Sequence, residues 1–176
     1  PELRKRAKAV NFGIVYGISD FSLGEDIGVS KYHAGEYIKS YFEKYPGVDN
    51  YMKSIVEEAH TNGYVTTKFG RRRYIPELKS SKAALRSFGE RVAMNSPIQG
   101  TAADIMKIAM INTVKALKES GIDARLILQV HDELVVESHK NCQEQAAQIL
   151  KQCMENISGF DVPLTVEVTI GDNWYH

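Results

Sequence analysis

Apolar residues recur along this chain with two different periods, and the switches between them mark out its elements. From Leu3 to about Val15 the pattern suits a helix, and Pro1 ahead of it is tolerated because a first helical turn has spare N–H groups. Gly17-Ile18-Ser19-Asp20 breaks the run, and Phe21 to Ile27 has room for a short helix. Ser30 is placed to cap a longer one, in which Ala34, Tyr37, Ile38, Tyr41, Phe42 and Tyr45 form a stripe of period 3.6 that Pro46-Gly47 ends. The next helix carries Val48, Tyr51, Met52, Ile55, Val56 and Ala59 on its inner face and stops at Asn62-Gly63. Tyr64 to Thr67 and Tyr74-Ile75 then read as two short strands around Gly70, a hairpin too small to stand alone.

In the second half, residues 84 to 96 read as a helix interrupted by Pro97. Thr101 with Asp104 resembles a capping box opening a new helix, which carries Ile105, Met106, Ala109, Met110, Val114 and Leu117 and closes at Gly121. Residues 124 to 131 and 133 to 138 predict a central hairpin, 141 to 157 a covering helix, and Val162 to Ile170 a last strand. The expected class is α+β: an antiparallel sheet covered by helices on one face, with a helical segment at the N-terminus. There is no internal repeat, low-complexity tract or clear linker.

Composition narrows the class without deciding it. A chain of 176 residues that is 43% hydrophobic and 25% charged can bury a core as one domain or two small lobes. The formal net charge is zero, so any affinity for a polyanion must come from where the charges sit. They are segregated: Arg4, Lys5, Arg6 and Lys8 crowd the start, Arg71, Arg72 and Arg73 open a second basic stretch, and acidic residues from Asp132 onward outnumber lysines in the last third. A basic surface leading to an acidic site suits a polyanion-binding, metal-using enzyme. Cys142 and Cys153 lack CxxC or histidine support and read as reduced side chains on one helix. With no run of eighteen apolar residues and no signal peptide, the expected compartment is the cytoplasm, with no membrane partner. Pro1-Glu2 leads into a helical pattern without an initiator methionine, so the chain reads as a piece of something longer.

Two constellations carry chemistry. Arg4, Lys8, Phe12 and Tyr16 lie four apart, so on a helix they drift about 40° per step and make a slanting line of two cations followed by two aromatics. Such a line can meet a nucleoside triphosphate from tail to base, cations on phosphates and rings on the base. Gly13 and Gly17 have no evident structural benefit in a helix and would let a base or template strand approach closely. The plainer alternative is solvated helix charges beside a core phenylalanine. Secondly, Gln129-Val130-His131-Asp132-Glu133 puts adjacent carboxylates at a strand-to-strand junction. Phosphoryl transfer to a hydroxyl commonly uses two divalent ions held by carboxylates, and neighbours in an extended backbone point to opposite sides. Asp132, at the tip, is therefore the candidate metal ligand, with Glu133 a weaker electrostatic contributor. His131 either contacts a primer end or caps the turn. Residues 1 to 176 offer no persuasive second carboxylate donor. Arg91, Asn95 and Gln99 repeat the four-residue spacing and suit contact with DNA backbone and minor-groove acceptors, unless they are ordinary helix surface. The arginine triplet is a looser candidate for a backbone phosphate.

At these residues the chain resembles the C-terminal part of the polymerase region of the A family of DNA-directed DNA polymerases, the bacterial polymerase I kind. Arg4, Lys8, Phe12, Tyr16 and Gly17 match its fingers-helix motif; Arg91, Asn95 and Gln99 match residues tracking the primer-template minor groove; His131-Asp132-Glu133 matches the palm motif whose aspartate binds metal. Asp172-Asn173-Trp174-Tyr175 is similar to the family's terminal palm segment. The resemblance implies that residues 1–83 are the C-terminal part of the fingers with a small hairpin, and 84–176 the C-terminal part of the palm. It implies catalytic roles for Asp132, Glu133 and Lys8, nucleotide binding by Arg4, Lys8, Phe12 and Tyr16, and DNA binding by Arg91, Asn95, Gln99 and His131. Two Mg2+ ions in the complete site, primer-template DNA, deoxynucleoside triphosphates and the remainder of the polymerase chain would be its cofactors and partners. Phenylalanine at position 12 resembles the family version that disfavours dideoxynucleotides. The family's other metal-binding aspartate would precede Pro1, so the isolated chain is expected to be inactive. Two other readings stay open: a single-subunit RNA polymerase, and a non-catalytic DNA-binding module.

Overall fold

The computed structural model describes residues 2–157 and 159–174; Pro1 and Tyr175 lie outside the described residues. By contacts the chain divides into two compact units, residues 1–101 and 102–176.

The first unit opens with helices α1 (Glu2–Val15), α2 (Asp20–Ile27), α3 (Lys31–Lys44) and α4 (Pro46–Asn62). Each boundary has a local cause. The Ser19 hydroxyl accepts the Ser22 N–H at 3.1 Å and that of Ser30 accepts the His33 N–H at 3.3 Å, so both serines satisfy N-terminal amides that the helix itself cannot. Pro46 takes the first position of α4, where its missing N–H costs nothing. Leu23, Ile27 and Ala34 form one small core with Val10, Ile18 and Ile38 against it. The predicted α3 stripe is only half buried. Ala34 and Ile38 pack inward, whereas Tyr37 and Tyr45 are 49% and 46% exposed and Tyr41 meets Phe42 edge-on and Tyr45 at a tilt, at ring distances of 5.8 and 5.0 Å.

Strands β1 (Tyr64–Thr66) and β2 (Arg72–Tyr74) form the small antiparallel hairpin, with Tyr64 opposite Tyr74. The second strand lies two residues earlier than predicted. Ile75 falls just outside the ladder, 1% exposed, and packs with Val65, Ile55, Ala59, Leu78 and Ala93 in a second core. That core is what the hairpin lacks by itself. A 3₁₀ turn (Pro76–Lys79) follows.

Helix α5 (Ala83–Ser120) corrects the sequence reading. It is one helix of 38 residues that passes through Pro97 instead of stopping there. An interior proline costs roughly 3 kcal/mol. The flanking turns offset it, because Ala93 is locked in the second core and Met106 and Ala109 in a third. Thr101 does not cap a new helix; its hydroxyl accepts the Lys68 N–H at 2.9 Å and so ties the hairpin loop to α5. Gly100 allows the same approach, since a Cβ there would sit 2.6 Å from Thr67 Cγ2.

In the second unit, β3 (Ala124–Val130) and β4 (Glu133–Ser138) pair antiparallel with an irregularity at Ile127, and a 3₁₀ turn (Lys140–Cys142) leads into α6 (Gln143–Glu155). Ala146, Leu150 and Met154, four apart, are the buried face of α6, and Leu150 and Met154 pack with Leu134, Met106 and Ala109. Burial is worth about 1.5–3 kcal/mol for each of the larger side chains. The predicted last strand is not one. Residues 162–170 make no ladder; the Val166 N–H donates to the Glu155 carboxylate at 2.9 Å, and Leu164 and Val166 pack on the third core. Alternation marked which side chains turn inward, but among the described residues no neighbouring strand is present to pair with. The architecture is α+β, helix-dominated, with two small antiparallel hairpins.

Candidate functional site

Within the first unit, the predicted line on α1 is on the surface as a line. Arg4 and Lys8 are exposed, and Phe12 and Tyr16 are 52% and 44% exposed, so Phe12 is not the core residue of the plainer alternative. The Lys8 ammonium stands 5.6 Å from the Phe12 ring centroid, and the Phe12 and Tyr16 rings lie 6.3 Å apart at 31°. An exposed cation–ring contact is worth about 0.5–1 kcal/mol, enough to bias the lysine towards the ring and too little to hold it against a phosphate. Leaving two large aromatic rings in water has a cost that a stacking ligand would recover.

The two glycines have structural reasons that sequence inspection missed. Gly17, with φ of 74°, is the left-handed residue that closes α1: its N–H donates to the Ile14 carbonyl and that of Ile18 to Gly13, both at 2.9 Å. A Cβ on Gly17 would meet Met94 Cε at 2.5 Å, and one on Gly13 would meet Ile18 Cγ2 at 3.0 Å. Protein atoms therefore account for both positions without a base or template strand.

On α5, Arg91 and Gln99 are exposed, with Arg91 Nη1 3.4 Å from the Ser87 hydroxyl. Asn95 is half-buried. Its amide donates to the backbone carbonyls of Arg91 at 2.9 Å and Tyr16 at 3.4 Å, joining α5 to the end of α1. Of the arginine triplet, Arg71 donates to the Gly100 carbonyl and Arg72 lies 4.7 Å over the Tyr64 ring, so two of the three have structural partners.

In the second unit, Val130 pairs with Glu133, which leaves His131 and Asp132 as a two-residue loop. Such loops match the strand twist when φ is positive at the first position, and His131 has φ of 52° there. A non-glycine residue held so costs about 1 kcal/mol. Gln129 steadies the loop, its amide donating to the His131 carbonyl at 3.0 Å. Asp132 is exposed at the tip and makes no hydrogen bond or ion pair among the described residues. Glu133, the first residue of β4, accepts the Trp174 indole N–H at 3.4 Å. That tie spans 41 positions, so no local pattern could have announced it. Asp172, two residues earlier, pairs with Lys140 at 2.9 Å on the open surface, a contact of little energetic weight. Asp132 suits a hard cation as one oxygen ligand. Among the described residues no group of three His, Cys, Asp or Glu side chains is arranged to hold a metal ion.

The cationic-aromatic helix line lies in the first unit and the carboxylate-tipped hairpin in the second. The profile of DNA polymerase family A matches residues 1–176, and the chain belongs to that family. DNA polymerase I of Caldicellulosiruptor bescii is 53% identical over 175 residues, 99% of this chain and 21% of that protein. DNA polymerase I of Bacillus subtilis is 51% identical over 173 residues, 98% of this chain and 20% of that protein. Among solved structures, the POL domain of Pol1 from M. smegmatis, in complex with DNA primer-template and dNTP, is similar with a TM-score of 0.89 and 44% identity. That match covers 93% of this chain and 29% of the other. The chain thus spans about one fifth of the length of the curated relatives it matches.

Proposed function

We propose that the polypeptide carrying this chain is a DNA-directed DNA polymerase, adding deoxynucleotides to a primer 3′ hydroxyl with release of pyrophosphate. Residues 1–83 belong to its fingers and 84–176 to its palm. The observation that carries the reading is the exposed line Arg4, Lys8, Phe12, Tyr16, whose cations and rings are in the order a triphosphate and its base require. The relatives named above are DNA polymerases, which favours deoxynucleotide substrates over the RNA polymerase reading.

Arg4 and Lys8 bind the triphosphate, and Lys8 also offsets charge on the departing pyrophosphate. Phe12 stacks near the sugar and base and Tyr16 sits by the templating position. Arg91 and Gln99 contact the primer-template from α5, while the Asn95 amide between them is engaged with the Tyr16 and Arg91 carbonyls, and His131 meets the primer end. Asp132 would supply one carboxylate to a pair of Mg2+ ions, while Glu133, held by Trp174, adds negative potential beside it. When bound, those ions activate the attacking hydroxyl and neutralise the triphosphate. Because the described residues present one free carboxylate at the hairpin tip, the isolated chain is inactive and the remaining ligands come from the rest of the polymerase polypeptide. The enzyme works in the cytoplasm without a membrane; no helix among the described residues is long and apolar enough to cross one.

Primer extension by the full polypeptide with Asp132→Asn tests this. Loss of several kcal/mol of transition-state stabilisation lowers kcat by about 10³-fold or more while primer-template affinity stays near wild type. Extension close to wild type would remove Asp132 from the chemistry, and intact complementation by that variant would leave only a DNA-binding module.

A further inference from the structure

We propose that Asn95 is a positioning residue that anchors the C-terminal end of α1, and with it the Tyr16 ring, through its side-chain amide. The proposal rests on the polymerase reading for its functional consequence and on geometry alone for the anchor.

Helix α1 ends in a left-handed glycine, and Tyr16, the residue before Gly17, has a backbone carbonyl beyond the helix's own hydrogen-bond ladder. Asn95 Nδ2 donates to that carbonyl at 3.4 Å and to the Arg91 carbonyl one turn back on α5 at 2.9 Å. The orientation of the carboxamide is fixed by this pair: exchanging its oxygen and nitrogen would set an oxygen against two carbonyl oxygens. The cost of the arrangement is visible, for Asn95 Oδ1 is buried with no hydrogen-bond partner. An apolar side chain would avoid that cost, so the position uses asparagine for its two donors.

Packing converges on the same junction. Gly17 lies under Met94, where a Cβ would stand 2.5 Å from Met94 Cε and 3.4 Å from Arg91 Cγ. Met94 itself packs against the core of Ile55, Val65 and Ile75. Three successive features of α5, the Arg91 stem, Met94 and the Asn95 amide, therefore seat one turn of chain, Tyr16-Gly17. The Tyr16 ring stays 44% exposed while its backbone is held, which is how a side chain that must meet a ligand is kept in one place. Asn95 thus acts on the nucleotide site through Tyr16, and its amide hydrogens are already engaged with protein.

The test uses Asn95→Ala and Asn95→Asp in the full polypeptide, with amide hydrogen exchange of the peptide covering residues 13–20 as a readout independent of activity. Loss of the anchor speeds exchange of the Gly17 and Ile18 amides by roughly fivefold in the alanine variant, and more in Asn95→Asp, whose oxygens face the carbonyls. In primer extension the deoxynucleotide KM rises by a similar factor, while primer-template affinity stays within about twofold. Asn95→Ser, which keeps one donor, falls between and replaces the alanine variant if that one does not fold. Unchanged exchange with weakened DNA affinity would overturn the anchor and make Asn95 a direct DNA contact. A wild-type polypeptide that extends no primer would end the polymerase reading, while the exchange data would still decide the anchor.

Discussion

Gly17→Ala separates two costs that glycine meets at once. The backbone there has φ of 74°, and placing an L-residue in that region costs about 1–2 kcal/mol. The new Cβ would also stand 2.5 Å from Met94 Cε, a distance no pair of non-bonded carbons adopts, so the Met94 terminal methyl must swing aside. Met94 Cε is the far end of a flexible side chain, so moving it to another rotamer costs about 1 kcal/mol, which brings the total to roughly 2–3 kcal/mol. The chain contains its own controls. Gly63 and Gly121 have φ of 76° and 67°, and a methyl added at either would meet nothing within 4 Å, so alanine there carries the backbone cost alone. Urea-unfolding midpoints of the full polypeptide for the three alanine variants, together with Gly17→Ala/Met94→Ala, give the comparison. Gly17→Ala is the most destabilised of the three, and in the Met94→Ala background the same substitution costs about 1–2 kcal/mol, as at the control sites. Equal losses at Gly17 and Gly63, or no coupling to Met94, would refute the packing argument and with it the close seating of Tyr16-Gly17 on α5.

Trp174→Phe keeps the ring and removes the N–H that meets Glu133. One net hydrogen bond to a charged acceptor is worth about 1.5–3 kcal/mol at most and less at an exposed site, so primer-extension kcat falls by about 2–10-fold with folding stability unchanged; no change in kcat would show that Glu133 needs no steering. Partial burial pushes the Cys153 thiol above its ordinary range, so at pH 8 iodoacetamide labels Cys153 more slowly in the folded protein than in urea. The sign follows for stability as well. A thiol raised on folding contributes stability that is whole below its unfolded pKa and lost as pH rises through the folded one, and Cys153→Ser removes that alkaline loss. Rapid labelling of Cys153 in the native state, read by peptide mass spectrometry, would contradict the burial.

Much of the molecule was legible in the residue order because its cause is local. Ser30 caps a helix through its own hydroxyl, the four-residue spacing of Arg4, Lys8, Phe12 and Tyr16 makes a surface line on any helix, and the junction between two apolar strands puts Asp132 at a tip. The remainder depended on partners far away in sequence. Pro97 breaks a helix only where packing does not hold the turns on either side, and here Ala93 and Met106 hold them. Alternation from Val162 to Ile170 makes a strand only beside another strand, and here the Glu155 side chain takes the Val166 amide. Gly13 and Gly17 suggest room for a ligand in the sequence, and in the folded chain Ile18 and Met94 fill it. Asn95 and Trp174 carry donors whose acceptors lie 79 and 41 positions distant. Sequence by itself determined what depends on the period of a helix or the chemistry of a turn, since those forces act within a few residues. Tertiary structure alone decided which side chains are spent on holding the site and which stay free to do its chemistry, because that is set by neighbours only the folded chain brings together.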